Sequence, residues 1–402
     1  MGFGAPVITR TPVAVPADAV ISAYDPIVFE VSWAGDTTAE PITAKRVKAE
    51  VFFTSSDTSL GTMKKESILI SGNPRYRFNV ADMLKTVLEF EFINNISTDV
   101  ITSGNDKLAT EFKLTFTPEY IDSSGVSQTD TSTTSLTYFV GNGIIAPSDS
   151  IRSFNASKVL TLTNTISEFL TFAPQNVILR TGEDFQLSFF YLGALQLEIN
   201  FQTFDLGGNA NAEQTVALKT ITNKEGTFTI SDNGAGTIID DFTNISKVDV
   251  WIEESDGTQI SQKKRFIISQ ECVDGFRLWW SNSLGGVDKF TFDIANNQTF
   301  NVRDRINYQQ PLDDTPTREE FGVTTLKVTG NDVYTATTRI QAGLLTWFRD
   351  LLTSTQAFYQ TGPTTIHPIN IRTKVVPLDD DDNLIQIDIE FEFSRATKTH
   401  IQ

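Results

Sequence analysis

The chain of 402 residues holds one cysteine and two histidines. Cys272 alone excludes a disulfide within the chain, and it excludes a cysteine-rich zinc centre for the same reason. Histidine-based catalysis has only His367 and His400 to draw on. Cations are also scarce: 32 Lys and Arg stand against 50 Asp and Glu, a formal net charge of −18. Affinity for nucleic acid comes from neutralising phosphate with Lys and Arg, so this balance argues against a nucleic-acid binder. No run of eighteen apolar residues occurs, so no transmembrane helix is expected. No basic segment precedes an apolar stretch at the N-terminus, so a secretory signal peptide is not expected. Gly2 raises myristoylation, but a stable lipid anchor needs a second signal and none is visible.

Motifs that carry chemistry are missing too. There is no Gly-x-Ser-x-Gly elbow, no P-loop and no Gly-x-Gly-x-x-Gly opening a helix. Cys272 has no histidine near it in sequence and reads as an inert buried thiol. Glycoside hydrolysis needs only two carboxylates, but no acid here stands in a distinctive context. Most alternate on the wet side of strands, as Asp388, Glu390 and Glu392 do. No enzyme activity, cofactor or resident metal is expected.

What the chain does have is apolar residues, 40% of the total, with 30 Phe among them and only 20% charged residues. That composition folds rather than staying disordered. At roughly 150 residues per domain the length suggests two or three domains. Period-two alternation is the strongest local pattern. In Ile385–Phe393 every odd position is apolar and every even one polar, as in a strand with one wet face. Similar runs are Ile27–Ser32, Val47–Phe53, Phe112–Thr117, Phe185–Tyr191, Leu195–Phe201, Lys247–Glu253 and Phe290–Ile294. Turn residues separate them, among them Ser124-Gly125, Gly207-Gly208, Asp256-Gly257 and Gly285-Gly286.

The runs repeat in order. Phe29–Ser32 matches Phe185–Ser188, Val47–Val51 matches Leu195–Ile199, Arg77–Val80 matches Thr227–Ile230, and Lys113–Phe116 matches Lys247–Val250. A hairpin and a returning strand follow each of the last pair, Leu136–Val140 in one case and Arg265–Ile268 in the other. The drifting offsets are what loop insertions produce, because long loops cost little entropy. The expected fold class is therefore mainly β: two related antiparallel β-sandwiches followed by a smaller α+β module. The expected divisions are an extended N-terminal arm at 1–16, sandwiches at 17–147 and 148–270, and the third module at 271–402. One helix is expected at Thr338–Thr353, where Ile340, Leu344, Trp347, Phe348, Leu351 and Leu352 form a stripe and Thr338 and Gln341 have capping-box spacing. A turn of helix or more is also expected within Ala81–Phe92.

Candidate interface residues follow from exposure and composition. Val7, Ile8, Val13 and Val15 lie in a proline-punctuated arm that reads as extended chain seeking burial, with a neighbouring copy as one cover. The tail from Ala396 to Gln402 is a second docking candidate. Trp279 and Trp280 point to opposite faces of one strand, so one is expected in the core and the other outside or at a partner. Asp379, Asp380, Asp381 and Asp382 are the densest charge cluster; calcium takes such oxygens, but EF-hand spacing is absent and a solvated turn is the plainer reading. Lys263-Lys264-Arg265 reads as a solvated hairpin end. Trp33, Trp251, Trp279 and Trp280 are the candidates for stacking on sugars.

The hairpin Leu278-Trp279-Trp280-Ser281-Asn282-Ser283-Leu284-Gly285-Gly286-Val287-Asp288-Lys289-Phe290-Thr291-Phe292 resembles a module of virion and tail proteins from phages of Bacteroidetes hosts, including crAss-like phages. In such modules an amphipathic helix follows, and then a sheet with a Pro-Val/Ile strand. Ile340–Leu352, His367-Pro368-Ile369-Asn370-Ile371 and Ile385–Phe393 stand in that order here. The resemblance covers about the last third of the chain and touches Asp25–Phe29 and Tyr76–Val80. It is a likeness of fold, not of catalytic residues. It implies a non-enzymatic virion protein, a subunit of a tail, collar or ring, assembled in the host cytoplasm. Its partners would be further copies of itself, in a closed ring, and neighbouring tail proteins. A negative wall on such a ring would not hold exiting DNA. The alternative is a receptor- or carbohydrate-binding protein of the tail tip.

Overall fold

The computed structural model describes residues 6–11, 20–24, 26–33, 44–54, 57–66, 68–70, 73–88, 101–102, 109–121, 124–129, 132–143, 159–160, 166–193, 195–220, 225–231, 239, 242–270, 275–309, 323–362, 365–373, 384–394 and 397–401. The first strands are β1 (Pro6–Thr11), β2 (Val20–Ser22), β3 (Val28–Trp33), β4 (Ala44–Phe53), β5 (Ser59–Glu66), β6 (Ile68–Ile70), β7 (Asn73–Asn79), β8 (Ile101–Thr102), β9 (Ala109–Ile121), β10 (Ser127–Thr129), β11 (Thr133–Thr134) and β12 (Tyr138–Gly141). They form two facing sheets, ordered β1-β3-β7-β6 and β2-β12-β9-β4-β5, with β10 and β11 also on β9. Alternation sends Phe29, Val31, Tyr76 and Phe78 of one sheet against Val47, Val51, Phe112, Leu114 and Phe116 of the other, all buried. Phe29 meets Phe112 edge to face, centroids 6.2 Å apart. After β7, Asn79 Oδ1 accepts from the Ile27 and Ala81 N–H groups and starts a short helix, α1 (Ala81–Lys85), whose Ala81 and Leu84 close the same core.

The next strands are β13 (Val159–Leu160), β14 (Asn176–Arg180), β15 (Asp184–Tyr191), β16 (Gln196–Asp205), β17 (Gln214–Thr220), β18 (Glu225–Ser231), β19 (Ile245–Glu254) and β20 (Lys264–Ser269). Their sheets run β13-β15-β18-β8 and β14-β20-β19-β16-β17. The two sandwiches share one plan. In each larger sheet the first strand lies parallel to the last, β2 beside β12 and β14 beside β20, and the rest are antiparallel. Order is shared, but register is not. Phe116 stands opposite Ala49, whereas Val250 stands opposite Phe201 and not Leu197. Alternation repeats every two residues, so it marks the face of a strand without fixing its register. One strand crosses between the sandwiches: β8, from the first stretch of chain, pairs with β18 in the second.

The last strands are β21 (Phe276–Ser281), β22 (Val287–Phe292), β23 (Ala295–Gln309), β24 (Val323–Gln341), β25 (Ala357–Gly362), β26 (Thr365–Ile371), β27 (Leu384–Phe393) and β28 (Thr397–Ile401). The sheet runs β22-β21-β25-β26-β27-β24-β23, with β28 on β24. Because β22 runs through Asp293 and Ile294 into β23, this sheet curls into a barrel. The Ile294 N–H donates to the Thr337 carbonyl at 3.0 Å, joining the two ends. Inside lie Leu278, Trp280, Phe292, Ala336, Ile340, Ile369, Ile385, Ile387, Ile389 and Phe391. A 3-10 turn at Ala342–Leu344 leads into α2 (Leu345–Thr353), whose Trp347, Phe348 and Leu351 plug one end. Trp347 and Phe348 are thus core residues, packed on Trp280 and Phe290.

The helix expected at Thr338–Thr353 begins seven residues later, at Leu345. Thr338 and Ile340 belong to β24 and pair with Ile387 and Ile385, and no side chain caps α2. The β-branched run Thr335–Ile340 favours a strand. Ile340 and Leu344, four apart, fit a strand face as well as a helix stripe.

The three parts meet at one place. Val20 and Ala109 from the first sandwich, Leu170 and Phe190 from the second, and Leu284 from the barrel form a small buried cluster. Gly285 has φ +98° there, and a Cβ on it would overlap the Asn142 carbonyl.

Candidate assembly surface

Half of the β23–β24 pair lies beyond the barrel. β24 pairs with β27 over Tyr334–Gln341 and with β28 over Lys327–Asn331. Beside that second stretch runs β23, so β23, β24 and β28 make a three-stranded ribbon. β23 is its outer strand, and among the described residues nothing pairs with its far side. Residues 297–302 and 305–308 are exposed on both faces of the strand. Phe300, Val302, Ile306 and Tyr308 are each 45–52% exposed. Phe300 lies across Gly330, where a Cβ would meet its ring. Two register shifts, at Val302/Asp304 and Ile306/Asn307, bend the strand. The ribbon carries Arg303, Arg305, Lys327 and Lys398 against Asp304 and Asp332. A stem of this kind has no core of its own and is marginally stable alone.

The barrel end away from α2 is aromatic. Phe276 meets Tyr334, Tyr359 and Phe391 edge to face at 5.2–5.8 Å. Tyr334 stacks on Phe391 at 17°, and His367 stands edge-on to Phe393. Phe276, Tyr334, Tyr359, His367 and Phe393 are half-buried. Burial, with Tyr334 adding to it, raises the Tyr359 hydroxyl above the ordinary tyrosine value.

Titratable groups gather instead at the seam between the second sandwich and the barrel. Every residue of β15 is buried, because one face lies in the sandwich core and the other under the barrel. Asp184 accepts from Lys289 Nζ, and its carbonyl accepts from Arg277. Arg277 also pairs with Glu183 at 3.0 Å and donates to Thr291 Oγ1. Complete burial lowers the Lys289 ammonium to about 8 despite the Asp184 charge beside it. Burial pushes Glu183 up, but the charge of Arg277 with the Thr291 hydroxyl and Arg180 outweighs it and holds the carboxyl below the usual range. Asp288 is raised to about 6, by burial first and then by the Asp350 carboxylate. It accepts from Thr171 Oγ1 and Asn282 Nδ2, and Asp350 accepts from the Ser283 N–H. A pocket of about 110 Å³ borders this cluster, lined by Tyr24, Gly143, Asn282, Asp350 and Ser354 among others. Chemically Glu183, Asp184, Arg277 and Lys289 form ion pairs that lock the seam, and Asp288 and Asp350 add hydrogen bonds to it.

Several expected residues are placed differently. Trp279 and Trp280 do point to opposite faces, but both are buried. Trp280 is in the barrel core. Trp279 faces the seam, with Lys289 Nζ 3.3 Å from its ring centroid and its indole N–H on Gln360 Oε1. The second sandwich covers the face that was expected to be free. Trp251 is buried under Lys263, and the Trp33 side chain lies outside the described residues. Lys264 is no solvated turn residue: it is buried and donates to the Ala173 carbonyl at 2.8 Å, while Arg265 forks onto Asp249. Val7 and Ile8 lie in β1, paired with Ser32 and Val31 of β3, and Ile8 packs on the first core. Val13, Val15, Cys272 and Asp379, Asp380, Asp381 and Asp382 lie outside the described residues. His400 lies in β28 opposite Val328, so Thr397–Ile401 of the C-terminal tail belongs to the ribbon. Among the described residues no group of three His, Cys, Asp or Glu side chains could hold a metal. No helix there is long and apolar enough to cross a membrane. Sequence reading passed over Phe300, Val302, Ile306 and Tyr308. Their alternation resembles that of core strands, and only barrel closure separates the two cases. No family model and no curated protein matches the chain.

Proposed function

We propose that this chain is a non-enzymatic structural subunit of a tailed-phage particle, part of a tail, collar or ring, and that it works by associating with copies of itself and with neighbouring virion proteins. The observation that carries the reading is the ribbon: an edge strand, β23, exposed on both faces over 297–302 and 305–308 and set with large apolar side chains. Its bulges and charged residues blunt indiscriminate pairing, but the half-exposed Val302, Ile306 and Tyr308 leave apolar surface that a partner would cover. The shared plan of the two sandwiches and the hairpin likeness to virion modules support the same reading. The acidic, histidine-poor composition fits a scaffold. Sedimentation of the purified chain over a concentration series, with mass spectrometry of particles that encode it, tests this. Assembly in solution and presence in the particle are expected. A monomer at every concentration that is also absent from particles refutes it.

A second reading, a glycan- or receptor-binding role at a tail tip, is favoured by the half-buried Tyr334, Tyr359, His367 and Phe393 at the open barrel end. Sugar faces stack on such rings. Binding to host polysaccharide that is lost in Tyr359→Ala supports it, and silence on a glycan array removes it.

A further inference from the structure

We infer that β23 is a donor edge that adds, strand to strand, to a second copy of this chain in a head-to-tail contact. The inference rests on the assembly reading above and names its surface and geometry. Hydrogen bonding gives the first support. β24 occupies one side of β23 from Ala295 to Gln309, and among the described residues no strand takes the other. In an antiparallel edge strand every second residue then turns its N–H and C=O outward. Strand addition satisfies those groups, and the flanking side chains give specificity.

Side chains give the second. Val302, Ile306 and Tyr308 line the strand half-exposed, and no described element covers them. The two register shifts re-aim these side chains along the strand. An edge shaped in this way resists indiscriminate strand pairing and suits a partner surface of matching shape.

Charge identifies the occupant. The chain as a whole has a net charge of −18, yet the ribbon carries four cations, Arg303, Arg305, Lys327 and Lys398, against two carboxylates, Asp304 and Asp332. The acidic excess therefore resides in the rest of the molecule. A second copy supplies a surface opposite in sign to the ribbon, and opposite signs steer and align an encounter. The same charges set the mode. Two-fold pairing of β23 with its own copy brings two Arg303-Asp304-Arg305 runs together, and the net positive charge of each run repels the other. A head-to-tail contact lays each cationic ribbon on an acidic body. Repeated, such a contact closes into a ring or continues as a filament.

The test uses the full chain, with sedimentation velocity at low and high salt on wild type, Ile306→Lys, Arg305→Glu and Asn307→Cys. The side chains of Arg305, Ile306 and Asn307 are exposed in β23, so the thermal midpoint should hold for each variant. Association should weaken by about tenfold or more in Ile306→Lys, which buries a charge in the contact. It should also weaken in Arg305→Glu, and wild-type association should fall with salt. Wild type that assembles while both variants assemble equally well overturns the donor edge and leaves the assembly reading standing. Wild type that stays monomeric at every concentration overturns the contact between copies, and absence from particles as well overturns the proposed function. Efficient disulfide linking of two Asn307→Cys chains through that position, with assembly stopping at a dimer, overturns the head-to-tail mode.

Discussion

The two halves of the β23–β24 pair are built from the same kind of sequence and have opposite fates. Near its end β24 sends Ala336 and Ile340 into the barrel against Ile389 and Ile385, all buried. A few residues earlier it enters the ribbon, where the neighbouring strand exposes Val302, Ile306 and Tyr308. Alternation is present in both halves. What differs is closure: β27 curves back over the first half and α2 plugs it, whereas only β28 follows the second. An alternating strand therefore identifies a face that needs cover. It does not say whether the cover is the same chain or another.

Substitutions should separate the halves, since barrel changes act on folding and ribbon changes on association. The largest effect is expected at the seam. Lys289→Ala leaves Asp184 buried without its ammonium partner, and removing one partner of a buried pair costs about 3–5 kcal/mol. Trp280→Ala empties the barrel core beside Trp347 and should cost about 3–5 kcal/mol. Denaturant titration reads both, and a cost below that of a surface change would break the contrast. Gly285→Ala combines a positive φ with overlap on Asn142, so about 1–3 kcal/mol is expected, together with loosening of the three-part junction. Limited proteolysis at that junction would show the loosening.

A smaller effect depends on pH. The Asp288 carboxyl, at about 6, lies above its unfolded value of about 3.9. Protonation therefore favours the folded state. The stabilisation is complete below about pH 4 and disappears as pH rises through about 6. Glu183 and Glu30 act in the opposite sense, because their lowered values make stability fall as pH drops below the ordinary carboxylate range. For Glu30, burial is outweighed by the hydrogen bonds and charges of Arg77 and Arg75. The Asp288 contribution is thus read as the difference between wild type and Asp288→Asn in thermal stability from about pH 4 to 7. A difference that stays flat contradicts it. The smallest effect on folding belongs to the ribbon: Ile306→Lys should change unfolding free energy by no more than ~0.5 kcal/mol.

The legible parts of the fold were those set by local pattern. Phe29–Ser32, Phe185–Tyr191 and Ile385–Phe393 fall in strands, and the positive φ values at Gly125, Gly208, Gly257 and Gly285 fall at expected turns. The two sandwiches were legible through shared strand order, while their differing registers were hidden by the period of two. The buried seam was not legible. Lys264, Arg277 and Lys289 are residue types that usually face water, and only the docking of β15 against the barrel puts two of them under cover. The ribbon was hidden for the converse reason: Ile306 and Tyr308 look like core residues until the barrel is seen to close without them.

Hydrogen exchange of the β23 backbone, in dilute protein and in the assembled form, tests the central claim most directly. If β23 is the contact between copies, the outward-facing amides of 297–308 exchange quickly in the dilute chain and become protected on assembly, while barrel amides of β27 stay protected in both. Equal exchange of β23 in the two forms, with new protection elsewhere, would contradict it.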